Sequence, residues 1–168
     1  MVTLEDVKNN PEVQELVIGA QKQLDALGYT EHSQRHVSIV SNRAGKILET
    51  LGYDEHRVEL AKIAGYLHDI GNGVNRVDHA HSGAILAYTI LKDMGMDIKD
   101  RMEIMSAIGN HDEATGTAVS DISAALILAD KSDVHRDRVV NPNKSSFEIH
   151  DRVNYAVTDA KLEIDKEN

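Results

Sequence analysis

The chain has 168 residues, with 18 Lys or Arg against 28 Asp or Glu, so its formal net charge is −10. It contains no Cys but nine His. The absence of Cys excludes a disulfide scaffold, a thiolate zinc site and a thiol nucleophile. The acidic charge argues against a general binder of nucleic-acid polymers or anionic membranes, which needs a basic face. The length indicates one domain, spanning residues 1–168.

Apolar residues at helical spacing, punctuated by Gly and Pro, predict a succession of helices. The predicted helices cover about 11–27, about 30–51, a segment from Asp54 to the Gly71-Asn72-Gly73 stop, and about 81–94, 99–109, 118–138 and 145–161. No segment shows the sustained alternation typical of strands. The predicted fold class is therefore all-α: a compact single-domain helical bundle with its core in about 30–155. Helices within residues 1–29 are expected to pack on that core, and the tail 162–168 is expected to fray.

Neither export nor membrane insertion is indicated. Glu5 and Asp6 stand where a signal peptide would be basic and then apolar. The longest apolar stretch, Ile122–Ala129, is far shorter than the ~20 residues that span a bilayer. We expect a soluble, cytoplasmic protein.

Two acidic residues follow strongly apolar segments. His68 and Asp69 come directly after the run 60–67, and Asp130 closes the run 122–129. An ionised carboxylate on such a face is costly unless it is paired, hydrogen-bonded or bound to a metal. Neither acid has an obvious Arg partner nearby, so the sequence predicts a cation between the two helices.

Histidines supply the remaining ligands of such a site. His36 lies one turn before Val40 and can face inward, while His79 and His111 stand near a helix start and a helix end. The complete candidate set is His36, His68, Asp69, His79, His111 and Asp130. Mixed imidazole and carboxylate ligands suit Fe, Mn, Zn or Ni better than Mg or Ca.

The order of these residues resembles the signature of the HD-domain metal-dependent phosphohydrolase superfamily. The matching strings are Arg35-His36-Val-Ser-Ile-Val40, Leu67-His-Asp-Ile-Gly71, His79-Ala-His-Ser-Gly-Ala84, Ile108-Gly-Asn-His111 and Leu128-Ala-Asp130. The likeness covers about residues 30–155. It implies an all-α fold that holds one or two divalent transition metal ions, with Fe, Mn, Zn, Ni and Co as candidates.

Within that superfamily, the string His79-x-x-x-Gly83-Ala84 resembles the two-metal, six-ligand branch. The resemblance therefore implies His79, rather than His81, as a ligand. Ile70 to Gly73 stand where bifunctional guanosine tetraphosphate hydrolases have an acidic pair, which argues against that activity. The cyclic-di-GMP branch is disfavoured because its paired His-His-Glu and Gly-Tyr-Pro elements are missing. The dinucleoside-tetraphosphate hydrolase branch is nearer in size and ligand pattern.

The expected chemistry is hydrolysis of a phosphate ester or anhydride. Two metals can share a hydroxide and the Asp69 carboxylate, and a metal-bound hydroxide can attack phosphorus in line with the leaving group. His68 and Asp69 are the candidate catalytic pair, and the expected substrate is a nucleotide or another small phosphorylated metabolite. Segment 131–152 has a net charge of +1 by residue count. The candidates for contacts with substrate phosphate are Lys131, Arg138 and Arg76.

Two other functions stay open at this point. A di-iron oxygenase of the same fold uses a similar ligand set, and a metal-stabilised regulatory module would use the metal only for folding. His32 is expected to face solvent or the pocket mouth, and the charges of residues 133–137 are expected to form a solvated face. The sequence leaves open whether the chain forms a homo-oligomer.

Overall fold

A computed structural model describes residues 1–165 of the chain, and a succession of helices accounts for most of them. The α-helices are α1 (Leu4–Asn9), α2 (Pro11–Leu27), α3 (Gln34–Leu51), α4 (Glu55–Leu67), α5 (His79–Asp93), α6 (Ile98–Gly109), α7 (Asp121–Ser132) and α8 (Ile149–Ala156). Short 3-10 helices cover Ile70–Gly73, Arg136–Arg138 and Lys144–Ser146. No strand occurs within residues 1–165, which confirms the all-α prediction.

Local sequence signals set the ends of these helices. α2 begins with Pro11, whose missing N–H costs nothing in a first turn, and the Asn10 side chain accepts hydrogen bonds from the next free amides. It ends at Gly28, which takes the left-handed conformation (φ 76°) that favours glycine. α3 begins after Ser33, whose hydroxyl accepts from the amide of Arg35.

The hydrophobic core lies between α3, α4, α6 and α7. α3 packs against both α4 and α7, and α5 packs against α6. Val40, Ile63, Ile108 and Leu126 are fully buried in this cluster. The N-terminal helices contribute Val7, Val13 and Val17 to the same cluster. This packing brings the end of α4 close to α3 and α7, where the candidate ligands lie.

Helix lengths depart from the prediction in the last third of the chain. The segment predicted as a helix over 118–138 is α-helical only over Asp121–Ser132, because Asp133 leaves the helical conformation (φ −83°, ψ 77°). The last predicted helix, 145–161, is α-helical only over Ile149–Ala156.

Two residues of the tail that is predicted to fray, Leu162 and Ile164, are half-buried against the hydrophobic core. Fraying of 162–168 stays a prediction, and residues 166–168 lie outside the described part of the chain. Among residues 1–165, no helix combines the length and apolar character needed to cross a bilayer.

Candidate metal centre

The turn after α4 positions two candidate ligands deep in the protein. His68 is fully buried at the end of α4, and Asp69 is 3% exposed. The 3-10 helix that follows runs against the start of α5 at Gly71, where a Cβ would lie 1.9 Å from the His79 carbonyl oxygen. Only glycine permits this approach, which brings His79 close to Asp69.

One group of ligand atoms, the inner half-site, consists of His36, His68, Asp130 and the Oδ2 atom of Asp69. His36 Nε2 lies 3.3 Å from Asp130 Oδ1 and 3.6 Å from Asp69 Oδ2. His68 Nε2 lies 3.2 Å from Asp69 Oδ2 and 3.6 Å from Asp130 Oδ1. Helices α3 and α7 and the end of α4 thus each place a possible metal-ligand atom in the inner half-site.

A second group, the outer half-site, consists of His79, His111 and the Oδ1 atom of Asp69. His79 Nε2 and His111 Nε2 lie 3.7 and 3.9 Å from Asp69 Oδ1. The imidazole rings of His79 and His111 are 5.1 Å apart between centroids. The two oxygens of Asp69 therefore face different groups of histidines, as a carboxylate shared between two metals requires.

Hydrogen bonds fix which ring nitrogen of each histidine faces the site. The Nδ1 partners are Asp133 Oδ2 for His36 (2.7 Å), Gly65 O for His68 (2.8 Å), Arg76 O for His79 (3.0 Å) and Ile108 O for His111 (2.6 Å). Carbonyl oxygens only accept, so Nδ1 of the last three carries the hydrogen. Nε2 of these rings then carries the lone pair, which is the atom through which ligating histidines commonly bind a metal.

Buried atoms without hydrogen-bond partners test whether these residues fit a metal. His36 Nε2, His68 Nε2 and Asp69 Oδ2 are buried and lack any such partner. Two groups of three ligand atoms lie within 4.8 Å of one another: His36, His68 and Asp130 in the inner half-site, and His68, Asp69 and His111, which join the two half-sites. Leaving such polar atoms unsatisfied is costly, and a divalent cation satisfies all of them. The residues present therefore fit a metal.

Protonation equilibria agree with a cation site. Burial opposes a charge on His68, but the Asp69 and Asp130 carboxylates raise its pKa to about 10. Burial likewise opposes ionisation of Asp69, yet the neighbouring histidines hold its pKa well below its usual range. When no metal ion is bound, a proton on His68 thus offsets the negative charge of the buried carboxylates. Metal binding would displace this proton.

The structure corrects the expectation for Asp133 and places Arg138 in a different local setting from the one expected. Asp133 is 2% exposed and turns inward to His36, so it does not belong to a solvated face. Arg138 does not continue α7 toward the site. It lies buried in the cavity wall, where three of its five N–H donors bind the Glu31 and Asp133 carbonyl oxygens, so most of its donors are already taken. The physical reason is the end of α7 at Ser132, which no spacing of apolar residues signalled.

The other two candidate phosphate contacts line the same cavity. Lys131 is exposed and pairs with Asp130 (2.9 Å) and Glu113 (2.5 Å). Arg76 follows the turn after α4 and lies beside His79. The cavity has a volume of about 350 Å³. Tyr29, His32, Ile149 and Val153 also line it, and sequence reasoning gave none of these but His32 a place near the site.

The structure separates His79 from His81. The side chain of His81 is 54% exposed and lies near Asp78, whereas His79 is buried beside Asp69. The turn of α5 that carries both residues directs one inward and the other outward.

Comparison with known proteins identifies the class of this fold and site. The family model for the HD domain matches residues 34–140, so the chain belongs to the HD-domain family. The crystal structure of a predicted HD superfamily hydrolase from an uncultured Thermotogales bacterium is similar, with a TM-score of 0.56 and 33% identity. That likeness covers 73% of this chain and 66% of the other.

Two curated proteins have similar sequences. An uncharacterized protein of Methanocaldococcus jannaschii is 32% identical over 147 residues, covering 74% of this chain and 56% of that protein. Ribonuclease Y of Acetivibrio thermocellus is 35% identical over 101 residues, covering 60% of this chain and 16% of that protein. The chain thus spans about half of the first relative and a small part of the second.

Proposed function

We propose that the protein is a metal-dependent phosphohydrolase that acts on a nucleotide or another small phosphorylated metabolite. The observation that carries the proposal is the convergence of His36 Nε2, His68 Nε2 and Asp69 Oδ2, all buried and without hydrogen-bond partners. The second carboxylate oxygen of Asp69 faces His79 and His111, which supports a two-metal arrangement.

The residues of the centre divide between two metal ions. A divalent metal held there supplies a Lewis acid and lowers the pKa of coordinated water. His36, His68, Asp69 and Asp130 would hold one ion, and Asp69, His79 and His111 the other. The Nδ1 hydrogen bonds fix the rings in place, so little reorganisation is needed when a charged ligand arrives.

His32 adds a hydrogen-bond acceptor at the cavity wall. Its Nδ1 is 2.6 Å from the Thr30 carbonyl oxygen and so carries the hydrogen. Its Nε2 lies 4.0 Å from Asp69 Oδ2. Burial lowers the pKa of His32 to about 3, so the ring is neutral near pH 7. We assign to Nε2 the orientation of a water or substrate hydroxyl beside Asp69.

The cavity supports a small substrate. A volume of about 350 Å³ lies near the lower end of ligand pockets, which run from about 300 to 1,000 Å³. Its wall combines Tyr29, Ile149 and Val153 with the cations Arg76 and Lys131. An anionic group can reach the cations while an apolar or planar group contacts the other side chains.

Metal analysis followed by activity screening tests the proposal. Freshly purified protein, kept anaerobic, should contain divalent transition metal, and protein reconstituted with Mn, Fe, Co or Ni should release phosphate from some nucleotide or phosphate ester. Asp69→Asn should abolish the release, whereas Asp137→Asn, a change at an exposed residue, should not.

Three results would contradict this function. No release of phosphate with any metal would count against hydrolysis of small substrates. Cleavage of an RNA oligonucleotide but of no small substrate would show that the substrate is a nucleic-acid polymer. Iron together with O₂ consumption would instead favour the di-iron oxygenase.

A further inference from the structure

The two half-sites differ in what their ligand atoms already bind. The inner atoms His36 Nε2, His68 Nε2 and Asp69 Oδ2 have no hydrogen-bond partner. In the outer half-site, Asp69 Oδ1 accepts a hydrogen bond from Asn72 Nδ2 at 3.0 Å. His79 Nε2 lies 3.4 Å from Arg76 Nη1 in donor–acceptor geometry. Side chains of the same turn therefore contact two of the three outer ligand atoms, Asp69 Oδ1 and His79 Nε2, but none of the inner ones.

The contact between Arg76 and His79 engages the atom that a metal would need. Because His79 Nδ1 donates to the Arg76 carbonyl oxygen, Nε2 has a single lone pair, and that lone pair faces the guanidinium. A guanidinium cannot accept a hydrogen bond and stays charged, so it can only compete with a metal ion for this lone pair. Burial and the charge of Arg76 both lower the pKa of His79, against the Asp69 carboxylate.

Arg76 is held in this position by neutral contacts. Its Nη1 also donates to Asn72 Oδ1 at 3.2 Å, and its guanidinium carbon lies 5.5 Å from the centre of the Tyr29 ring. By contrast, Lys131 is paired with two carboxylates, and Arg138 is buried against carbonyl oxygens. Arg76 is thus the cation of the cavity wall best able to accept an anion.

We propose that Arg76 competes with the second metal ion for His79, and that a phosphate group releases this competition by taking up the guanidinium. The second ion and the phosphate-bearing ligand would then bind together, whereas the inner ion binds without the ligand. This inference rests on the proposed function, since it assumes the same metal centre and an anionic ligand. Linkage makes the coupling reciprocal: each ligand raises the affinity for the other.

Binding measurements on the full chain, with Mn²⁺ and inorganic phosphate as probes, test the inference without any enzyme assay. Mn²⁺ affinities come from equilibrium dialysis and electron paramagnetic resonance, and phosphate affinity from ³¹P line broadening. Without phosphate, Arg76→Gln should bind the second Mn²⁺ at least about tenfold more tightly than the natural chain, because a nearby positive charge is removed. The same variant should bind phosphate at least about tenfold more weakly, because a charge-assisted hydrogen bond is lost. Arg76→Lys keeps the positive charge, so its affinity for the second Mn²⁺ should stay as low as in the natural chain.

Opposite signs of the two effects distinguish competition from a structural role. If a folded Arg76→Gln variant bound both the second Mn²⁺ and phosphate more weakly, Arg76 would only support the structure of the site. That result would overturn the inference. No change in either affinity would overturn it as well. Arg136→Gln is the control, because that side chain lies over Tyr155 and does not line the cavity.

Failure of this inference and failure of the proposed function give different results. If no Mn²⁺ binds to any variant, the metal centre and the inference are both wrong. If one ion binds and the second is unaffected by Arg76→Gln, only the inference is wrong. If both affinities change as expected and no substrate is hydrolysed, the inference stands and the hydrolase assignment does not.

Discussion

The Nδ1 atom of His36 lies 2.7 Å from the Oδ2 atom of Asp133, a buried contact between residues 97 positions apart in the chain. Asp133 is itself held by Arg138, whose guanidinium donates to its carbonyl oxygen at 2.6 Å and lies 3.7 Å from its carboxylate. His36 therefore presents Nε2 to the inner half-site with its ring fixed by a carboxylate. Such partners orient a ligating imidazole and raise its basicity.

Removal of this carboxylate should weaken metal binding. We expect Asp133→Ala to lower the affinity for the inner ion by about 10- to 100-fold, the usual loss when a ligand's hydrogen-bond partner is removed. Competition with a chelator measures the affinity. Asp137→Ala is the matched control, since the Asp137 side chain is 71% exposed. Equal affinities of Asp133→Ala and the natural chain would show that His36 needs no such support.

Arg138 should matter for stability rather than for binding of phosphate. Arg138→Gln leaves the Glu31 and Asp133 carbonyl oxygens without their donors, so we expect a loss of about 1–3 kcal/mol in the free energy of unfolding. Urea denaturation measures this loss. Arg136→Gln, two residues earlier and exposed, should have little effect. A stable Arg138→Gln variant with weakened phosphate affinity would restore the original prediction that Arg138 contacts substrate.

His79 and His81 provide a test of the outer half-site. In the presence of inorganic phosphate, His79→Ala should bind less metal per chain than the natural protein, because its Nε2 faces Asp69. His81→Ala, two positions along the same helix and mostly exposed, should retain the full amount. Elemental analysis after gel filtration gives the ratio. A loss of metal in His81→Ala alone would reverse the assignment.

Gly71 should be intolerant of any side chain. A Cβ there would lie 1.9 Å from the His79 carbonyl oxygen and 2.5 Å from the Gly83 amide nitrogen, both of them backbone atoms. We expect Gly71→Ala to cost about 3 kcal/mol or more, because the turn and α5 must move apart. Gly19→Ala is the control: a Cβ at Gly19 meets nothing within 4 Å. Inside a helix that change should stabilise by roughly 0.5–1 kcal/mol. Similar unfolding midpoints for the two variants would contradict the close packing at Gly71.

His32 should make the metal-free protein sensitive to acid. Burial lowers its pKa to about 3, below the ordinary value of 6.5, so the unfolded chain binds its proton more readily than the folded one. This contribution to stability is present above about pH 6.5 and is lost as the pH falls toward 3. By about pH 5, roughly 2 kcal/mol of this contribution should be lost.

Chelator-treated protein allows the measurement. Urea midpoints at about pH 7.5 and about pH 5 should differ less for His32→Asn than for the natural chain. Part of the difference should remain, because burial also lowers the pKa of His111 to about 4. His56→Asn, at an exposed position, is the control. An unchanged difference in His32→Asn would show that His32 is not held neutral by burial.

Local patterns determined much of the candidate site. Helical periodicity predicted the all-α fold, and the acids Asp69 and Asp130 stood out because each follows a long apolar run. Both residues do lie at the buried ends of helices, α4 and α7, and their side chains lie near the same two histidines. An acidic residue directly after a long apolar run is visible in the sequence, and burying its charge is costly. These two acids could therefore be identified without the structure.

The contacts that support the site depended on tertiary structure. Asp133 was expected on a solvated face and Arg138 in contact with substrate phosphate, because the spacing of apolar residues does not show that α7 ends at Ser132. The competition between Arg76 and a metal for His79 depends on a turn that only glycine at position 71 allows. The candidate ligands thus follow from the residue types that the sequence places on buried faces. The availability of each ligand atom depends on contacts between segments far apart in the chain, and only the packed fold decides these.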